Sequence, residues 1–377
     1  MYDLIIRQAR LPDGSLHDLA AADGHIAAIG RVNGPALRTL DLAGRHYLSA
    51  GWIDGHVHCF PESPIYHDEP DAVGIACGVT TVVDAGSAGA DDIARFRQLA
   101  DRARTEVRAL LNISRIGLAT QHELANLADV DLPLALAAIR QHRDFIVGLK
   151  ARLSGSVVGS NGLAPLTLAK TLQQQAGGLP LMVHVGNTPP DLDDIAAMLD
   201  KGDILTHCFN GKPNRILDGQ ARLRQSILTA IERGVLLDVG HGSASFSFEV
   251  ARAALAQGIY PRTISSDIYC RNRVSGPVFG LAHVMSKFLA LGMPLPRLID
   301  CVTTHAADAL GLAGKGRLEA GAAADFTVFD VAADDALLAD AEGGSLQATQ
   351  TLRPLAAIIA GQIWPTREGK LSHVFDL

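Results

Sequence analysis

Short apolar runs alternate with longer amphipathic segments through the middle of the chain, from about residue 79 onward. The runs are rich in Val, Ile and Leu, which is typical of strands in a buried parallel sheet, and the segments between them have helical period. A first strand leads into GWIDGHVH, and seven further strands follow at Val79–Asp84, Val107–Ile113, Phe145–Lys150, Leu179–Val185, Asp203–His207, Val235–Val239 and Thr263–Asp267. Helices are predicted between most of them, at Asp91–Ala103, Pro165–Gln175, Gln220–Arg233 and Phe246–Gln257. This pattern predicts an α/β fold, a (β/α)8 TIM-like barrel with its active site at the C-terminal strand ends.

The two ends of the chain have a different pattern, in which apolar and polar positions alternate around Gly and Asp turns. This alternation indicates short antiparallel strands. Because the ends of a domain usually lie close together, we predict one small β-sandwich domain made from residues 1–48 and 315–377, with the barrel at 49–314 between them. An Ala/Asp/Gly-rich stretch near Ala332–Gly344 is interpreted as a linker.

Composition narrows the class of protein. Of the 377 residues, 48% are hydrophobic and 19% are charged, which is typical of a globular enzyme and excludes wholesale disorder. The net charge of −7 and the absence of a basic stripe argue against nucleic acid as a partner. No stretch approaches ~18 consecutive apolar residues, so no membrane span is predicted. The glycine-rich segments match neither the phosphate-loop nor the dinucleotide-binding pattern.

The N-terminus lacks the basic start and long apolar core of a signal peptide, and the five cysteines form no CxxC pair. We therefore expect a cytoplasmic protein without a disulfide framework. Its expected partner is a small-molecule substrate, and a homo-oligomer remains open.

The strongest chemical signal is the pair His56 and His58, which follows an apolar strand and the turn residues Asp54 and Gly55. In an extended segment, side chains two residues apart point to the same side, so both imidazoles can bind one cation. An isolated His-x-His pair arises by chance often enough that a structural role remains equally plausible. The positions of the other polar residues decide between the two interpretations.

Four more polar residues close apolar runs. Lys150 ends the fourth strand, His184 the fifth, His207 the sixth and Asp267 the eighth. Each histidine taken singly could be a hydrogen-bonded core or loop imidazole, and Lys150 could be a surface lysine or an ion-pair partner of Asp267. Buried charges at strand tips need partners, however, and a shared cation site supplies them. The coincidence of all six positions favours a metal centre.

This set resembles the amidohydrolase superfamily in its branch with a binuclear metal centre. The tail sequence GRLEAGAAADFTVFD also matches that family's closing β-domain, so the resemblance covers nearly the whole chain. The resemblance implies two divalent metal ions, with zinc the first choice for imidazole and carboxylate ligands. It implies that Lys150 is carboxylated by carbon dioxide and bridges the ions. The implied ligands are His56, His58 and Asp267 on the more buried ion and His184 and His207 on the more exposed one.

The resemblance also implies a reaction, the hydrolysis of an ester or an amide. A water between the two ions is the nucleophile, and one ion polarises the scissile carbonyl. Asp267 is the implied catalytic residue. It acts as the general base toward that water and then as the general acid toward the leaving group.

One departure from the family pattern bears on the class of substrate. Dihydroorotases carry an arginine two residues after the second histidine of His-x-His, and here that position is Phe60. The segments GLKAR, MVHVGN, THCFNG, HGSASF and SSDIYCR instead resemble a dihydroorotase-like group of deacetylases. These cleave acetyl groups from small α-substituted carboxylic acids such as acetyl-mandelate. The alternatives are a cyclic-amide hydrolase of the dihydroorotase or hydantoinase type, an N-acyl-D-amino-acid deacylase, and a non-catalytic scaffold on the same fold.

A small acid needs a cation and an apolar wall in its pocket. The candidate carboxylate-binding residues are Arg152, Arg271 and Arg273, although for each one taken singly an exposed loop charge or a structural ion pair is the favoured interpretation. The candidate wall residues are Tyr269, Phe60 and His241, and the last could hydrogen-bond either a substrate or a neighbouring loop. Three cysteines beside the ligands are predicted to be buried small hydrophobes, namely Cys59, Cys208 and Cys270.

Overall fold

The structure is a computed structural model, and it describes residues 1–367. Its strands are β1 Tyr2–Arg10, β2 Leu16–Ala22, β3 His25–Gly30, β4 Ala36–Asp41, β5 Tyr47–Ala50, β6 Trp52–Val57, β7 Val79–Ala85, β8 Glu106–Asn112, β9 Ile146–Leu153, β10 Leu181–Val185, β11 Ile204–Thr206, β12 Leu236–Leu237, β13 Phe326–Ala339, β14 Ser345–Ile359 and β15 Gln362–Pro365. They form two sheets, one built from β6 to β12 and the other from the strands at the two ends of the chain.

The α-helices are α1 Pro70–Val73, α2 Ile93–Ala100, α3 Leu132–Gln141, α4 Gly155–Val158, α5 Ala164–Gln175, α6 Leu192–Met198, α7 Gln225–Arg233, α8 Phe248–Ala256, α9 Cys270–Ser275, α10 Leu281–Ala290, α11 Leu295–Cys301 and α12 Thr304–Ala309. Short 3-10 helices occur at Ile75–Cys77, Gly117–Ala119, Leu127–Asp129 and Gly159–Asn161. Side chains cap several helix starts, since Asp131, Asp191 and Ser247 accept hydrogen bonds from the first turns of α3, α6 and α8. The four helices predicted from the sequence are confirmed as α2, α5, α7 and α8, with shorter ends at three of them.

The central sheet has the order β6-β7-β8-β9-β10-β11-β12, and every neighbouring pair is parallel. The segment 263–268 closes this sheet into a barrel. On one side Val239 donates its N–H to the carbonyl of Thr263, at 3.2 Å, and on the other Asp267 donates to the carbonyl of His56, at 2.7 Å. The TIM-like barrel is therefore confirmed, with residues 263–268 in the eighth position.

Two of the predicted barrel strands are less regular than the sequence suggested. The seventh is a strand only at Leu236–Leu237, and the predicted eighth strand, Thr263–Asp267, is held by isolated bridges instead of a continuous ladder. The prediction of a regular eighth strand was therefore wrong, and the segment ends at Asp267 with φ of +51°, where an extended backbone cannot continue. Apolar composition alone does not reveal that interruption.

The strands at the two ends of the chain form the second sheet, with the order β15-β14-β13-β5-β1-β2-β3 and with β4 paired to β1. The central pairing joins β13 from the C-terminal part antiparallel to β5 from the N-terminal part. A separate core holds this sheet together, and Leu4, Ile6, Leu48, Phe326 and Ile358 are among its fully buried members. The predicted small domain from both ends of the chain is thus confirmed, its strands being hydrogen-bonded into one connected sheet.

The stretch Ala332–Gly344 is not a linker, which corrects the sequence interpretation. Ala332 pairs with Thr351 and Ala339 with Ser345, so the stretch is the outer half of a long β13–β14 hairpin. The error arose because main-chain pairing with β14, which itself packs against α10, stabilises this strand, whereas its Ala- and Asp-rich composition indicated a loop. The hairpin turn reaches the barrel, where Asp340 accepts a hydrogen bond from the N–H of Phe248 at 2.9 Å.

The chain passes from the small sheet to the barrel at Gly51, which separates β5 from β6. The predicted boundaries at residues 48 and 315 remain predictions, and residues 368–377 of the predicted domain lie outside the described residues. Among the helices in residues 1–367, none has the length and apolar character needed to cross a membrane.

Candidate metal centre

All six candidate ligands meet at one end of the barrel. Nζ of Lys150 lies 3.0 Å from Nε2 of His56. Nε2 of His58 lies 3.1 Å from Oδ1 of Asp267, and Nε2 of His56 lies 3.4 Å from the same oxygen. Ligand atoms of His56, His207 and Asp267 all fall within 4.8 Å of one another. His184 joins this group through His207, because Nδ1 of His184 lies 2.8 Å from Nε2 of His207.

Hydrogen bonds on the outer side of three imidazoles fix their orientation. Nδ1 of His56 lies 3.0 Å from the hydroxyl of Thr206, which in turn donates to Asp238 at 2.7 Å. Nδ1 of His58 lies 2.9 Å from the hydroxyl of Ser87, and Nδ1 of His207 donates to the carbonyl of Gly240 at 2.6 Å. When Nδ1 donates outward, Nε2 keeps its lone pair for the centre. This is the usual arrangement of histidines that bind metals.

Glycines make room for the ligands, and the sequence analysis did not identify them. At Gly86 a Cβ atom would lie 2.8 Å from both Cβ and Cγ of Lys150. At Gly242 it would collide with the Asp267 carboxylate, and at Gly240 it would collide with the Thr206 hydroxyl. A signal was present, because each of these glycines follows a barrel strand, where a backbone that passes close to the site requires a residue without a side chain.

Two ligands have backbone conformations that residues with a side chain rarely adopt. His207 has φ of +62° and Asp267 has φ of +51°. Left-handed conformations of non-glycine residues carry a strain of about 1–3 kcal/mol, and they are most often found at functional sites. In both residues the turn directs the side chain into the barrel mouth directly after an extended segment. The strain therefore supports a functional role for these two positions.

Burial controls the protonation of the site. It lowers the pKa of Lys150 to about 7 and that of His207 to about 4. It also lowers the pKa of His184 well below the usual histidine value. For Asp267, burial alone would raise the pKa, but the neighbouring imidazoles of His56 and His58 lower it below the usual range. The neutral form is thus favoured at His184 and His207, the Asp267 carboxylate is ionised, and the Lys150 amine loses its proton readily.

This donor set fits a divalent cation. His56, His207 and Asp267 form a compact group, with His58 beside Asp267 and His184 beside His207, and nitrogen and carboxylate ligands are those that zinc and similar metals prefer. Burial lowers the pKa of His56, His184 and His207, which favours the unprotonated imidazole that metal binding requires. The ion pair between Lys150 and Asp267 that the sequence left open is not formed, because among the described residues Nζ of Lys150 contacts His56 and the sulfur of Met182.

A cavity of about 200 Å³ opens above these residues. Of the substrate-binding candidates, Arg152 and Tyr269 line it. The cavity wall also includes residues that the sequence analysis missed, chiefly Tyr66, Lys212 and Ser243. They lie on loops after barrel strands, and the sequence offered no periodic pattern to single them out.

Four substrate-binding candidates lie elsewhere, as they are not among the described residues that line the cavity. Phe60 packs against Phe96, with ring centroids 5.0 Å apart, so it belongs to the core outside the barrel. Arg273 is held by Asp68, with Nε 2.7 Å from the carboxylate. Arg271 is exposed on α9.

His241 is the fourth of these candidates. It is fully buried, and its Nε2 lies 2.7 Å from Nζ of Lys287. Its ring also stacks on Phe246, with centroids 4.5 Å apart. Of the two roles that the sequence left open for His241, these contacts favour the hydrogen bond to a neighbouring element over a substrate contact. Proximity to a strand end did not determine the direction of its side chain.

The three cysteines beside the ligands do not behave alike. Cys59 and Cys208 are fully buried, as expected from the sequence. Cys270 is partly exposed at the start of α9, and its sulfur lies 3.8 Å from Nε2 of His67. The expectation of burial was wrong for Cys270 because the chain has left the barrel at that point.

The sequence resembles known proteins over nearly its whole length. The model of the amidohydrolase family matches residues 47–361, and the chain belongs to this family. Among curated proteins, a deacetylase from Enterococcus faecalis is 45% identical over 96% of this chain and 99% of its own length. A deacetylase from Agrobacterium fabrum is 37% identical over 91% of this chain and 85% of its own length. The chain is accordingly a hydrolase related to deacetylases over essentially its whole length.

Solved structures agree on the fold and differ in their descriptions. A crystal structure described as an adenine deaminase has a TM-score of 0.96 at 45% identity, covering 97% of this chain and all of that one. One described as a dihydroorotase has a TM-score of 0.88 at 35% identity, covering 96% of this chain and 98% of that one. A D-hydantoinase structure with a TM-score of 0.72 is only 18% identical, over 97% of this chain and 96% of that one, and supports the fold alone.

Proposed function

We propose that this protein is a metal-dependent deacetylase that removes an acetyl or other small acyl group from esters or amides of small α-substituted carboxylic acids such as acetyl-mandelate. One observation carries the proposal. Two cationic side chains, Arg152 and Lys212, line the same small cavity as Lys150, His184 and Asp267. A cavity that combines a hydrolytic site with two cations suits a substrate that carries a carboxylate beside its acyl group.

The proposed ligands of two divalent ions, with zinc as the preferred metal, are His56, His58, Lys150, His184, His207 and Asp267. When bound, such ions would supply Lewis acidity to the scissile carbonyl and to the attacking water. The proposed bridging form of Lys150 is a carbamate. Its neutral amine adds to the carbon of carbon dioxide, a C–N bond forms and one proton is released. The burial that lowers the pKa of Lys150 to about 7 supports this step, because it provides the unprotonated amine.

The chain's own residues have distinct proposed roles. Asp267 accepts a proton from the attacking water and passes it to the leaving oxygen or nitrogen. Its lowered pKa means that it begins the reaction as a carboxylate, which is the form a base requires. Tyr66 and Tyr269, whose ring centroids lie 4.9 Å apart, provide an aromatic wall for the substituent of the acid. Arg152 and Lys212 bind its carboxylate.

The alternative activities fit less well. The position where dihydroorotases carry an arginine is Phe60, which is buried against Phe96 and does not line the cavity. Adenine is a neutral base and offers no carboxylate to the two cations in the cavity, Arg152 and Lys212. An N-acyl-D-amino-acid deacylase would use the same metals and the same cations, so only substrate measurements separate it. A non-catalytic scaffold loses support, because the chain is a member of the amidohydrolase family and the six candidate ligands lie in one network of contacts.

The test is a substrate panel combined with metal analysis of the purified protein. The panel contains acetyl-mandelate, N-acetyl amino acids of both configurations, dihydroorotate, hydantoin and adenine. We expect an acetylated acid to have the highest kcat/KM and the protein to hold two metal ions. Turnover of dihydroorotate, hydantoin or adenine above that of every acetylated acid would contradict the proposed function.

A further inference from the structure

A buried carboxylate lies behind the cavity wall, in a position that the proposed chemistry does not use. Glu123 belongs to the loop between the 3-10 helices Gly117–Ala119 and Leu127–Asp129. Its side chain is completely buried, and within residues 1–367 neither of its oxygens has a hydrogen-bond partner. A buried carboxylate is costly unless a cation compensates its charge. The cation that compensates the charge of Glu123 therefore indicates what this carboxylate does.

That cation is Arg152, whose Nε lies 3.4 Å from Oε1 of Glu123. The same loop holds the guanidinium at a second point, because Nη2 of Arg152 donates to Oε1 of Gln121 at 3.3 Å. Gln121 in turn donates from its Nε2 to the hydroxyl of Tyr66 at 2.9 Å. One short segment of loop, residues 121–123, thus contacts both the cation and an aromatic residue of the cavity wall.

The strand that carries Arg152 directs it toward the metal centre. Arg152 and Lys150 are two residues apart in β9, so their side chains lie on the same face of the barrel. In the neighbouring strand Arg152 is paired with His184. The guanidinium lines the cavity while only 10% of its side chain is exposed. The strand sets the position of Arg152 along β9, and the contacts with Gln121 and Glu123 set the direction of its guanidinium.

We propose that Glu123 is a positioning residue that holds the Arg152 guanidinium at the cavity wall, where Arg152 binds the carboxylate of the substrate acid. This inference rests on the proposed function, because it assigns the acid-binding residue of the same site. Glu123 does not itself line the cavity among the described residues, so it acts through Arg152. The Glu123 charge also offsets part of the desolvation of the guanidinium, which keeps the cation buried and ready.

The geometry explains why an ionic contact is needed here. A flexible arginine has many rotamers, and ordering it only on substrate binding would reduce affinity. With Gln121 and Glu123 in contact with it, the guanidinium is ordered before the acid arrives. Burial raises the pKa of Glu123, and Arg152 opposes this effect, so the two charges depend on each other.

The experiment measures binding without turnover. Mandelate and its neutral isostere mandelamide differ only in the carboxylate, and their affinities are compared by calorimetry on the metal-loaded protein and its variants. We expect Glu123→Ala to weaken mandelate binding by about tenfold and to change mandelamide binding by less than about twofold. Glu123→Gln keeps an acceptor for the guanidinium, so it should restore part of the loss. In an Arg152→Met background, Glu123→Ala should add no further loss for mandelate.

Asp203→Ala is the matched control. The Asp203 side chain is also completely buried and is paired with Lys170 at 2.6 Å, outside the cavity. It should lower the melting temperature without changing the ratio of mandelate to mandelamide affinity. Equal losses for both ligands in Glu123→Ala, or full additivity with Arg152→Met, would overturn the positioning role. Failure of the wild type to hydrolyse any acetylated acid would contradict the proposed function alone, since these binding ratios do not depend on turnover.

Discussion

Nζ of Lys150 lies 3.0 Å from Nε2 of His56, although 94 residues separate them in the chain. The other contact of this amine is the sulfur of Met182, at 3.3 Å. Neither partner carries a negative charge, and Lys150 is buried. A lysine in such surroundings is a nucleophilic amine rather than a charged anchor, which distinguishes it from the lysines of the protein's ion pairs.

Replacement of this amine tests its proposed role as a carbamate ligand. We expect Lys150→Ala to abolish turnover of the best acetylated substrate and to reduce the metal content of the purified protein. Small added carboxylates such as acetate or formate should partly restore both, because they can occupy the space of the carbamate. Metal content is measured by elemental analysis and turnover by acid release.

Lys201→Ala is the control for this change, since Lys201 is an exposed lysine that is not among the described residues lining the cavity. It should retain full metal content and activity. A Lys150→Ala protein that kept two metal ions and full activity would rule out the bridging role.

Asp267 is expected to move the proton during hydrolysis. Asp267→Asn preserves the size of the side chain but removes its basicity. We expect kcat to fall about 10²- to 10⁴-fold, the usual contribution of general acid–base catalysis. The melting temperature should change little, because asparagine has the size of aspartate and its amide N–H can donate to Nε2 of His58, which lies 3.1 Å from the Asp267 carboxylate. A kcat within about tenfold of the wild type would contradict the role of Asp267 as the base.

Gly86 provides a steric test of the Lys150 position. An alanine there would place its Cβ 2.8 Å from the Lys150 side chain, at a residue whose φ is +84°. We expect Gly86→Ala to displace Lys150 and to lower kcat/KM about 100-fold, since a shift of about 1 Å in a catalytic group has effects of that order. Steady-state kinetics and metal analysis measure this effect.

Gly177 supplies a matched control for the backbone strain. It also has φ of +84°, but a Cβ at Gly177 would meet no atom within 4 Å. Both alanine variants therefore carry the same left-handed strain of about 1–2 kcal/mol, and only one of them meets Lys150. Equal activity in the two variants would show that contact with Lys150 is unimportant.

The sequence was most informative where side chains close apolar strands. His56, Lys150, His184 and His207 were found because a parallel barrel brings strand ends to one edge, so order along the chain translates into position. Asp267 was found by the same reasoning, although its own strand is irregular. The period of the apolar residues thus predicted the barrel and the members of the candidate metal centre together.

Side-chain direction and loop positions could not be predicted in the same way. His241 follows a barrel strand as the ligands do, yet it points toward Lys287 on α10. Phe60 and Arg273 likewise find partners outside the cavity, in Phe96 and Asp68. These outcomes depend on packing between elements distant in the chain. Lys212 and Glu123 were missed for the complementary reason, because loops carry no periodic pattern.

The buried pair formed by Lys287 and His241 gives a prediction about stability and pH. Burial lowers the pKa of Lys287 from 10.5 to about 7, so between these values the unfolded chain binds one proton more than the folded chain. The unfolding free energy should therefore rise with pH across this window, by about 1.4 kcal/mol per pH unit at most. Burial also lowers the pKa of His241 well below its usual value, so His241 stays neutral there and adds no slope.

Lys287→Met removes this contribution. The difference in unfolding free energy, wild type minus variant, should increase between about pH 8 and pH 10, and denaturant titrations at each pH measure it. Subtracting the variant cancels the titration of the candidate metal ligands, which both proteins share. Lys201→Met, a change at an exposed lysine, should give a difference that is flat with pH. If the difference for Lys287→Met were also independent of pH, Lys287 would keep its proton on folding. The surrounding groups would then compensate in full for the burial of its charge.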